Sequence, residues 1–199
     1  MKALNDAIRT FIAIEIPEDI QPVLGRLQAS FKKFRLNIRW VPPASIHLTL
    51  KFLGNIRPDQ IQPVSSMLME AVSSHGVFNL RGVGIGVFPH IRKPRVFWVG
   101  IGGDVQALRS LQASVEDRLS RLGFEKERRP YKGHLTVGRA KGNIDSRRLV
   151  NAMAACGEFS FRPFAVERLT FFSSDLQKGG ARYTRLMTIP LTDKVDLDH

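Results

Sequence analysis

Residues 47–54 read His-Leu-Thr-Leu-Lys-Phe-Leu-Gly, and residues 134–137 repeat the start of this stretch as His-Leu-Thr-Val, 87 residues later. Polar and apolar residues alternate in both, which predicts two β-strands, each with its His and Thr on one face and its aliphatic residues on the other. A second repeat precedes them, because Leu-Gln-Ala-Ser occurs at residues 27–30 and again at 111–114. The chain is therefore interpreted as an internal duplication.

Each copy has the order strand, helix, His-containing strand, helix, strand. The approximate repeat units are residues 10–95 and 96–191, inside a single domain that spans residues 1–199. The predicted strands are 11–16, 47–50, 78–88, 96–101, 134–137, 159–173 and 182–191. The predicted helices are 18–34, 58–74, 104–122, where Asp104 is the N-cap and Gly123 the stop, and 145–156.

The turn signals favour antiparallel sheets. Hairpin-like turns occur at residues 89–94 and at Gly179-Gly180. The predicted fold class is α+β and bilobal, with two similar lobes that each combine a mostly antiparallel sheet with helices, and an active site in the cleft between them. The pattern Gly82-x-Gly84-x-Gly86 is interpreted as a bulged strand rather than a phosphate loop, because no helix begins after it.

Composition narrows the class of protein. Hydrophobic residues make up 43% and charged residues 24% of the 199, which is typical of a globular chain. Cys156 is the one cysteine, so an intrachain disulfide is excluded and a structural zinc site is disfavoured. No apolar run is long enough for a membrane span. We therefore expect a cytoplasmic protein without an obligatory protein partner, and a frayed polar segment at residues 193–199.

The charge balance points to an anionic partner. Thirty Lys and Arg against 18 Asp and Glu give a net charge of +12. Such a surplus favours nucleic acid, a nucleotide or an acidic membrane surface, with a generally basic surface as the simpler alternative. The positive residues cluster at 32–39, 92–95 and 126–132, and the last two clusters are predicted to follow an RNA backbone.

The two histidines and two threonines of the repeated motifs, on facing strands, could together catalyse attack on a phosphodiester without a metal ion. Histidine titrates near neutrality, so one ring can act as base while the other acts as acid. The hydroxyls of Thr49 and Thr136 can donate to the non-bridging phosphate oxygens. A purely structural role, hydrogen bonding between lobes, is the competing interpretation. Phe11, Trp40 and Trp98 are expected to pack in the core or between lobes, with base stacking as the alternative.

Several features of the chain resemble the two-histidine phosphoesterases. They are Phe-Ile-Ala-Ile at 11–14, Trp-Val-Pro at 40–42, the motifs that begin at His47 and His134, and Tyr183 after a Gly-rich turn. Within this superfamily the chain is most similar to the RNA 2′,3′-cyclic phosphodiesterases, historically called 2′–5′ RNA ligases. The resemblance implies hydrolysis of a terminal 2′,3′-cyclic phosphate to a 2′-phosphomonoester, without metal or cofactor, in a bilobal fold.

The resemblance also assigns roles. It implies that His47 is the proton donor and His134 the proton acceptor, an order that the two nearly equal motifs do not themselves give. It implies phosphate binding by the two threonines and Arg139, and substrate contacts by Phe11 and Tyr183. Phe52 stands where a first-motif arginine would be, so the phosphate contacts should be asymmetric.

Two alternatives remain open at this point. One is a phosphodiesterase for a small cyclic-phosphate nucleotide or a 2′–5′ oligonucleotide. The other is a non-catalytic RNA-binding module that uses the basic surface alone, although binding alone requires no histidine pair.

Overall fold

The computed structural model describes residues 7–177 and 180–192. Gly179 of the predicted turn and the polar segment 193–199 lie outside these ranges. The helices are α1 (Gln21–Lys32), α2 (Ile61–Val72), α3 (Val105–Ser120) and α4 (Ser146–Ala155). The strands are β1 (Ile8–Glu15), β2 (Ile38–Trp40), β3 (His47–Ile56), β4 (Phe78–Phe88), β5 (Val96–Gly103), β6 (His134–Ala140), β7 (Ser160–Val166), β8 (Arg168–Gln177) and β9 (Gly180–Pro190).

These nine strands belong to one sheet, in the order β7-β4-β5-β6-β3-β1-β8-β9, with β2 paired to β6. Every pairing within this sheet is antiparallel. The α+β class and the mostly antiparallel pairing are therefore confirmed. Instead of two separate sheets, a half of five strands (β7, β4, β5, β6 and β2) and a half of four (β3, β1, β8 and β9) are joined where Leu48 of β3 pairs with Leu135 of β6.

The two halves exchange strands. β4 follows α2 in the first predicted repeat unit, yet it pairs with β5 and β7 in the half that contains β6. β8 and β9 belong to the second unit but extend the half that contains β1. Each half of the sheet thus draws strands from both units, and the unit boundaries at residues 95 and 96 stay a prediction.

The helices pack on one face of the sheet. Ile12 and Ile14 of β1 join Leu48 and Leu135 in the main core, together with buried residues from α1 to α4. Phe11 belongs instead to a small separate cluster. Because successive side chains of a strand point to opposite faces, the second face carries the polar positions of the two His-containing strands.

Two predictions from sequence are wrong in detail. The predicted strand 159–173 is two strands, because pairing breaks at Glu167. β7 then lies at one end of the sheet order, and β8 lies in the other half, between β1 and β9. Asp104 precedes α3, as predicted, but its side chain makes no capping bond. It accepts instead from the backbone N–H of Asn79 at 2.9 Å, which ties the start of α3 to β4.

The glycines of β4 allow close packing. The register of β4 on β5 shifts between Val83 and Ile85, and Gly84 between them has a φ of +67°. A Cβ at Gly86 would collide with the ring of Trp98. The predicted bulged strand is confirmed, and its glycines seat Trp98 against the sheet.

Candidate active site

The two His-x-Thr segments lie side by side where the halves of the sheet meet. The antiparallel pair of Leu48 with Leu135 directs His47 toward Thr136 and Thr49 toward His134. Leu48 and its partner are fully buried in the main core, while the four polar residues are half-buried on the open face. The predicted convergence of two imidazoles and two hydroxyls thus follows from the register.

Both imidazoles are held in the same way. Nδ1 of His47 lies 2.9 Å from the carbonyl oxygen of Ser45, and Nδ1 of His134 lies 2.7 Å from that of Lys132. A carbonyl only accepts, so each Nδ1 is the protonated nitrogen of its ring. Nε2 of each ring is left to give or take a proton on the open face.

A β-bulge in β6 turns Arg139 toward this face. The register of β6 against β5 jumps from Thr136 to Gly138, which leaves Val137 as an extra residue. In a regular strand, a residue three places after Thr136 would point to the opposite face. The bulge reverses the alternation, so Arg139 is exposed beside the threonine.

The same bulge occurs in β3. The register against β1 jumps from Thr49 to Lys51, with Leu50 as the extra residue. Lys51 therefore points into the protein, where it is 6% exposed, and Phe52 shares the open face. The Phe52 ring is 62% exposed and lies 6.1 Å from that of Phe11. The place that matches Arg139 is thus apolar, so the two halves of the site differ in charge.

Aromatic rings surround His47. Its ring lies 4.7 Å from Phe11, stacked, and 5.1 Å from Tyr183, edge-on, between ring centroids. Phe172 stacks on Phe11 at 5.1 Å and lies 6.3 Å from the His47 ring. These contacts bury His47 and fix the plane of its ring.

His134 has a different aromatic neighbourhood. Phe88 meets its ring edge-on at 5.1 Å and also lies 5.1 Å from Trp98. Trp98 is the register partner of Thr136, and its buried Nε1–H donates to no atom within the described ranges. Sequence reasoning missed Phe88, because only the β4–β5 register brings it to the site.

The strands beside the histidines also differ in charge. Glu15 of β1 is the register partner of His47, whereas Gly100 of β5 is that of His134. Arg185 of β9 binds the Glu15 carboxylate with two nitrogens, its Nη2 at 2.6 Å. A fixed carboxylate thus stands next to one histidine alone.

The pKa of His47 is lowered from its ordinary value, chiefly by burial and further by the positive charge of Arg139. The hydrogen bond to Ser45 and the charge of Glu15 oppose this shift. Burial raises the pKa of Tyr183, against the field of Arg139. The charge of Arg139 therefore acts on both the His47 and the Tyr183 rings.

The structure brings all seven predicted site residues to the open face: Phe11, His47, Thr49, His134, Thr136, Arg139 and Tyr183. Trp40 packs near Phe31 and Phe97 on the core side, as expected. Among residues 7–177 and 180–192, no three His, Cys, Asp or Glu side chains group closely enough to hold a metal ion.

The two basic clusters lie in loops next to the site strands. Residues 92–95 form the turn between β4 and β5, and residues 126–132 lie between α3 and β6. Their Lys and Arg side chains are exposed, and Lys126 forms an ion pair with Asp117. None of the helices that the structure describes is long and apolar enough to cross a membrane.

Comparison with known proteins places these features in context. The family model described as LigT like phosphoesterase matches residues 14–98 and 100–183. The chain is 28% identical over 177 residues to a Methanothermobacter thermautotrophicus protein named RNA 2′,3′-cyclic phosphodiesterase, covering 89% of this chain and 95% of that one. It is 30% identical over 179 residues to a Thermotoga maritima protein of the same name, covering 88% and 91%.

Solved structures share the fold. A protein of Thermus thermophilus superposes with a TM-score of 0.78 at 24% identity, covering 94% of this chain and all of that one. Escherichia coli LigT complexed with 3′-AMP gives a TM-score of 0.76 at 24% identity, with 94% and 100% covered.

Proposed function

The chain belongs to the LigT-like phosphoesterase family, and from this premise we propose that it hydrolyses terminal 2′,3′-cyclic phosphates of RNA to 2′-phosphomonoesters without a metal ion. The observation that carries the proposal is the pair of imidazoles at one strand crossing, each with Nδ1 hydrogen-bonded to a carbonyl and Nε2 left for proton transfer. The name shared by the relatives, RNA 2′,3′-cyclic phosphodiesterase, supports the substrate class.

The chemistry divides between the two rings. His134 takes a proton from water through Nε2, and the water oxygen bonds to phosphorus. The bond from phosphorus to the 3′-oxygen of the ribose breaks, and His47 gives that oxygen a proton from Nε2. The phosphate remains on the 2′-oxygen. Each cycle leaves the two histidines with exchanged protonation, which solvent restores.

The remaining residues stabilise the charge that builds up on phosphorus. The hydroxyls of Thr49 and Thr136 donate to the non-bridging oxygens, and the Arg139 guanidinium neutralises them from one side. Phe11 and Tyr183 line the site next to His47 and exclude water from the His47 imidazole. A bound anionic phosphate favours the protonated form of His47 and so offsets the effect of its burial.

The same site can also join RNA ends. If a ribose 5′-hydroxyl takes the place of the attacking water, its oxygen bonds to phosphorus and the 3′-oxygen leaves, which yields a 2′–5′ phosphodiester with the same acid and base. This ligation is part of the proposal as a secondary activity.

The test is incubation of an oligonucleotide that ends in a 2′,3′-cyclic phosphate, with excess EDTA, and identification of the product by phosphorus NMR. We expect a 2′-phosphomonoester. A 3′-phosphate as the product, or activity that EDTA abolishes and a divalent ion restores, would contradict the proposal. The His75→Ala variant is the matched control, because His75 bonds Ser114 between α2 and α3, away from the open face.

Two comparisons address the alternatives. A mononucleotide 2′,3′-cyclic phosphate or a 2′–5′ oligonucleotide that is cleaved much faster than the RNA end would indicate the small-substrate enzyme. Tight RNA binding with no turnover of any of these substrates would indicate the binding module.

A further inference from the structure

A second arginine lies next to Arg139 on the open face. In the register of β2 on β6, Arg39 is directly opposite Arg139. Residues directly opposite each other in an antiparallel pair share a face of the sheet. Ile38 and Trp40, which flank Arg39 in β2, pack into the main core, so the side chain between them points away from the helices.

This arrangement places two like charges directly opposite each other. Both arginines are exposed. The seven ion pairs among residues 7–177 and 180–192 include neither Arg39 nor Arg139. Like charges directly opposite in a sheet destabilise it. An anion that contacts both guanidinium groups, or one anion on each, would relieve this repulsion.

Arg39 lies on the strand next to Arg139, and of the two arginines only Arg139 is among the charges that act on the pKa of His47. Strand β3, which carries His47, meets β6 at Leu135, and β2 then covers the same edge of β6 over residues 138–140. Arg39 therefore extends the positive charge of Arg139 sideways, from β6 onto the neighbouring strand β2. In an RNA chain, the group next to the terminal cyclic phosphate that needs such a partner is the neighbouring phosphate.

We propose that Arg39 binds the 5′-phosphate of the terminal nucleotide, next to the cyclic phosphate that reacts. The inference rests on the proposed function and deepens it, because Arg39 becomes the residue that favours an RNA end over a free mononucleotide cyclic phosphate. A guanidinium suits this role, since it donates two parallel hydrogen bonds to phosphate and keeps its charge at any physiological pH.

The sharpest probe is a ligand pair that differs by this phosphate alone. Calorimetry measures the Kd of a nucleoside 2′-phosphate and of the matching 2′,5′-bisphosphate for the wild type, Arg39→Gln and Arg26→Gln. Arg26 is an exposed arginine of α1, on the helical side of the sheet, so its substitution makes the same charge change elsewhere. We expect the 5′-phosphate to tighten binding about tenfold in the wild type and the Arg26 variant, a gain typical of a charge-assisted contact. The gain should fall below about twofold in Arg39→Gln.

Two results would overturn the inference. One is a wild type that binds both ligands equally, because no 5′-phosphate subsite then exists. The other is an Arg39→Gln variant in which the 5′-phosphate still tightens binding as much as it does in the wild type. This holds even if the variant binds both ligands more weakly by the same factor. In that case Arg39 acts at the reacting phosphate or on the fold.

A kinetic measurement separates this inference from the proposed function. The ratio of kcat/KM for a nucleoside 2′,3′-cyclic phosphate with and without a 5′-phosphate should follow the same pattern across the three proteins. If the wild type turns over neither compound while the binding gain still depends on Arg39, the proposed hydrolysis fails and the subsite stands. If both compounds are hydrolysed and Arg39→Gln leaves the ratio of their kcat/KM values unchanged, the subsite proposal fails and the proposed hydrolysis stands.

Discussion

The hydroxyl of Tyr131 donates a hydrogen bond to the backbone carbonyl of Thr49, at 3.0 Å. This bond links the loop that precedes His134 to the strand that carries His47. Lys132, the next residue of the loop, supplies the carbonyl that holds Nδ1 of His134. Burial raises the pKa of Tyr131, so its hydroxyl remains a donor throughout neutral and alkaline pH.

We therefore expect Tyr131→Phe to loosen the orientation of the His134 ring. The variant should lower kcat more than it raises KM, because proton transfer depends on the ring angle and substrate binding does not. The free energy of unfolding should fall by about 1–2 kcal/mol, as for a lost hydrogen bond at a half-buried carbonyl. Steady-state kinetics and urea titration measure both. A rise in KM with kcat intact would contradict the positioning role.

Substitution of either histidine tests the division of roles. His47→Ala and His134→Ala should each lower kcat by about 10²–10⁴, the usual range for a general acid or base. Binding of the product nucleotide should change by only a few-fold. Thr49→Val and Thr136→Val should cost less, about 1.5–3 kcal/mol of transition-state stabilisation each. Near-normal turnover in both histidine variants would rule out the two-imidazole mechanism.

The pH dependence follows from the environment of His47. An acid and a base of one type should give a bell-shaped profile of kcat/KM, whose limbs belong to the coupled pair. Burial and Arg139 lower the pKa of His47, so NMR titration of its ring should give a midpoint below the ordinary value of about 6.5. Arg139→Gln should raise that midpoint, and an unchanged or lower one would contradict the assignment of its charge to this site.

The same shift has a consequence for stability. Well above a pH of about 6.5 the ring is neutral in the folded and unfolded chains, so it contributes no pH dependence there. As the pH falls below this value toward the lowered pKa of His47, the unfolded chain binds the proton first and the folded state loses stability. His47→Gln should therefore weaken the decline of the unfolding free energy from neutral to mildly acidic pH. An equally steep decline in the variant would mean that other groups cause it.

A buried ion pair fixes the other side of β3. Nζ of Lys51 lies 2.5 Å from Oε2 of Glu116 on α3 and 2.8 Å from the carbonyl of Glu125, and both charged residues are under 10% exposed. Lys51→Met should lower the free energy of unfolding by about 3–5 kcal/mol, since it leaves a buried carboxylate unpaired. The matched control is Lys126→Met, which removes an exposed pair and should cost less than about 1 kcal/mol. Equal losses of unfolding free energy in the two variants would mean that the buried ion pair stabilises the fold no more than the exposed pair does.

The sequence predicts that the two His-x-Thr segments converge, because this convergence depends on short patterns. Alternation in the two His-x-Thr segments is enough to put both histidines and threonines on one face, and the repeat implies that the segments meet. The bounds of β4 at Phe78 and Phe88 also agree with the alternation in this stretch. Local patterns of this kind need no knowledge of the rest of the chain.

What the sequence leaves open depends on contacts between distant strands. β2 is three residues long and too short for a periodic signal, yet its register brings Arg39 to Arg139. The bulge at Val137, which decides the face on which Arg139 lies, leaves no trace in the alternation. The division of 159–173 at Glu167 arises because β7 and β8 pair with different halves of the sheet.

The final prediction concerns the basic loops at residues 92–95 and 126–132, which flank β5 and β6 and whose charges are exposed. If the second loop follows the RNA backbone, Arg128→Gln with Arg129→Gln should raise KM for a 10-mer and flatten its salt dependence. Each lost phosphate contact reduces the slope of log affinity against log salt by about 0.7 for a single strand. We expect a mononucleotide cyclic phosphate not to contact Arg128 or Arg129, so the loop variant should leave its KM unchanged. Arg139→Ala, in contrast, should lower kcat for both substrates.

The measurement is log KM against log salt for both substrates in parallel, with Arg121→Gln as the control, because this exposed arginine follows α3 and precedes the loop. A slope for the 10-mer that exceeds that of the mononucleotide, and that the loop variant reduces by about 1–1.5, would assign RNA contacts to the loop. Identical slopes for the two substrates would mean that the surplus of +12 charges does not bind the RNA chain. The phosphodiesterase for small cyclic nucleotides would then be the better description, because a substrate of that size needs only the histidines, the threonines and Arg139.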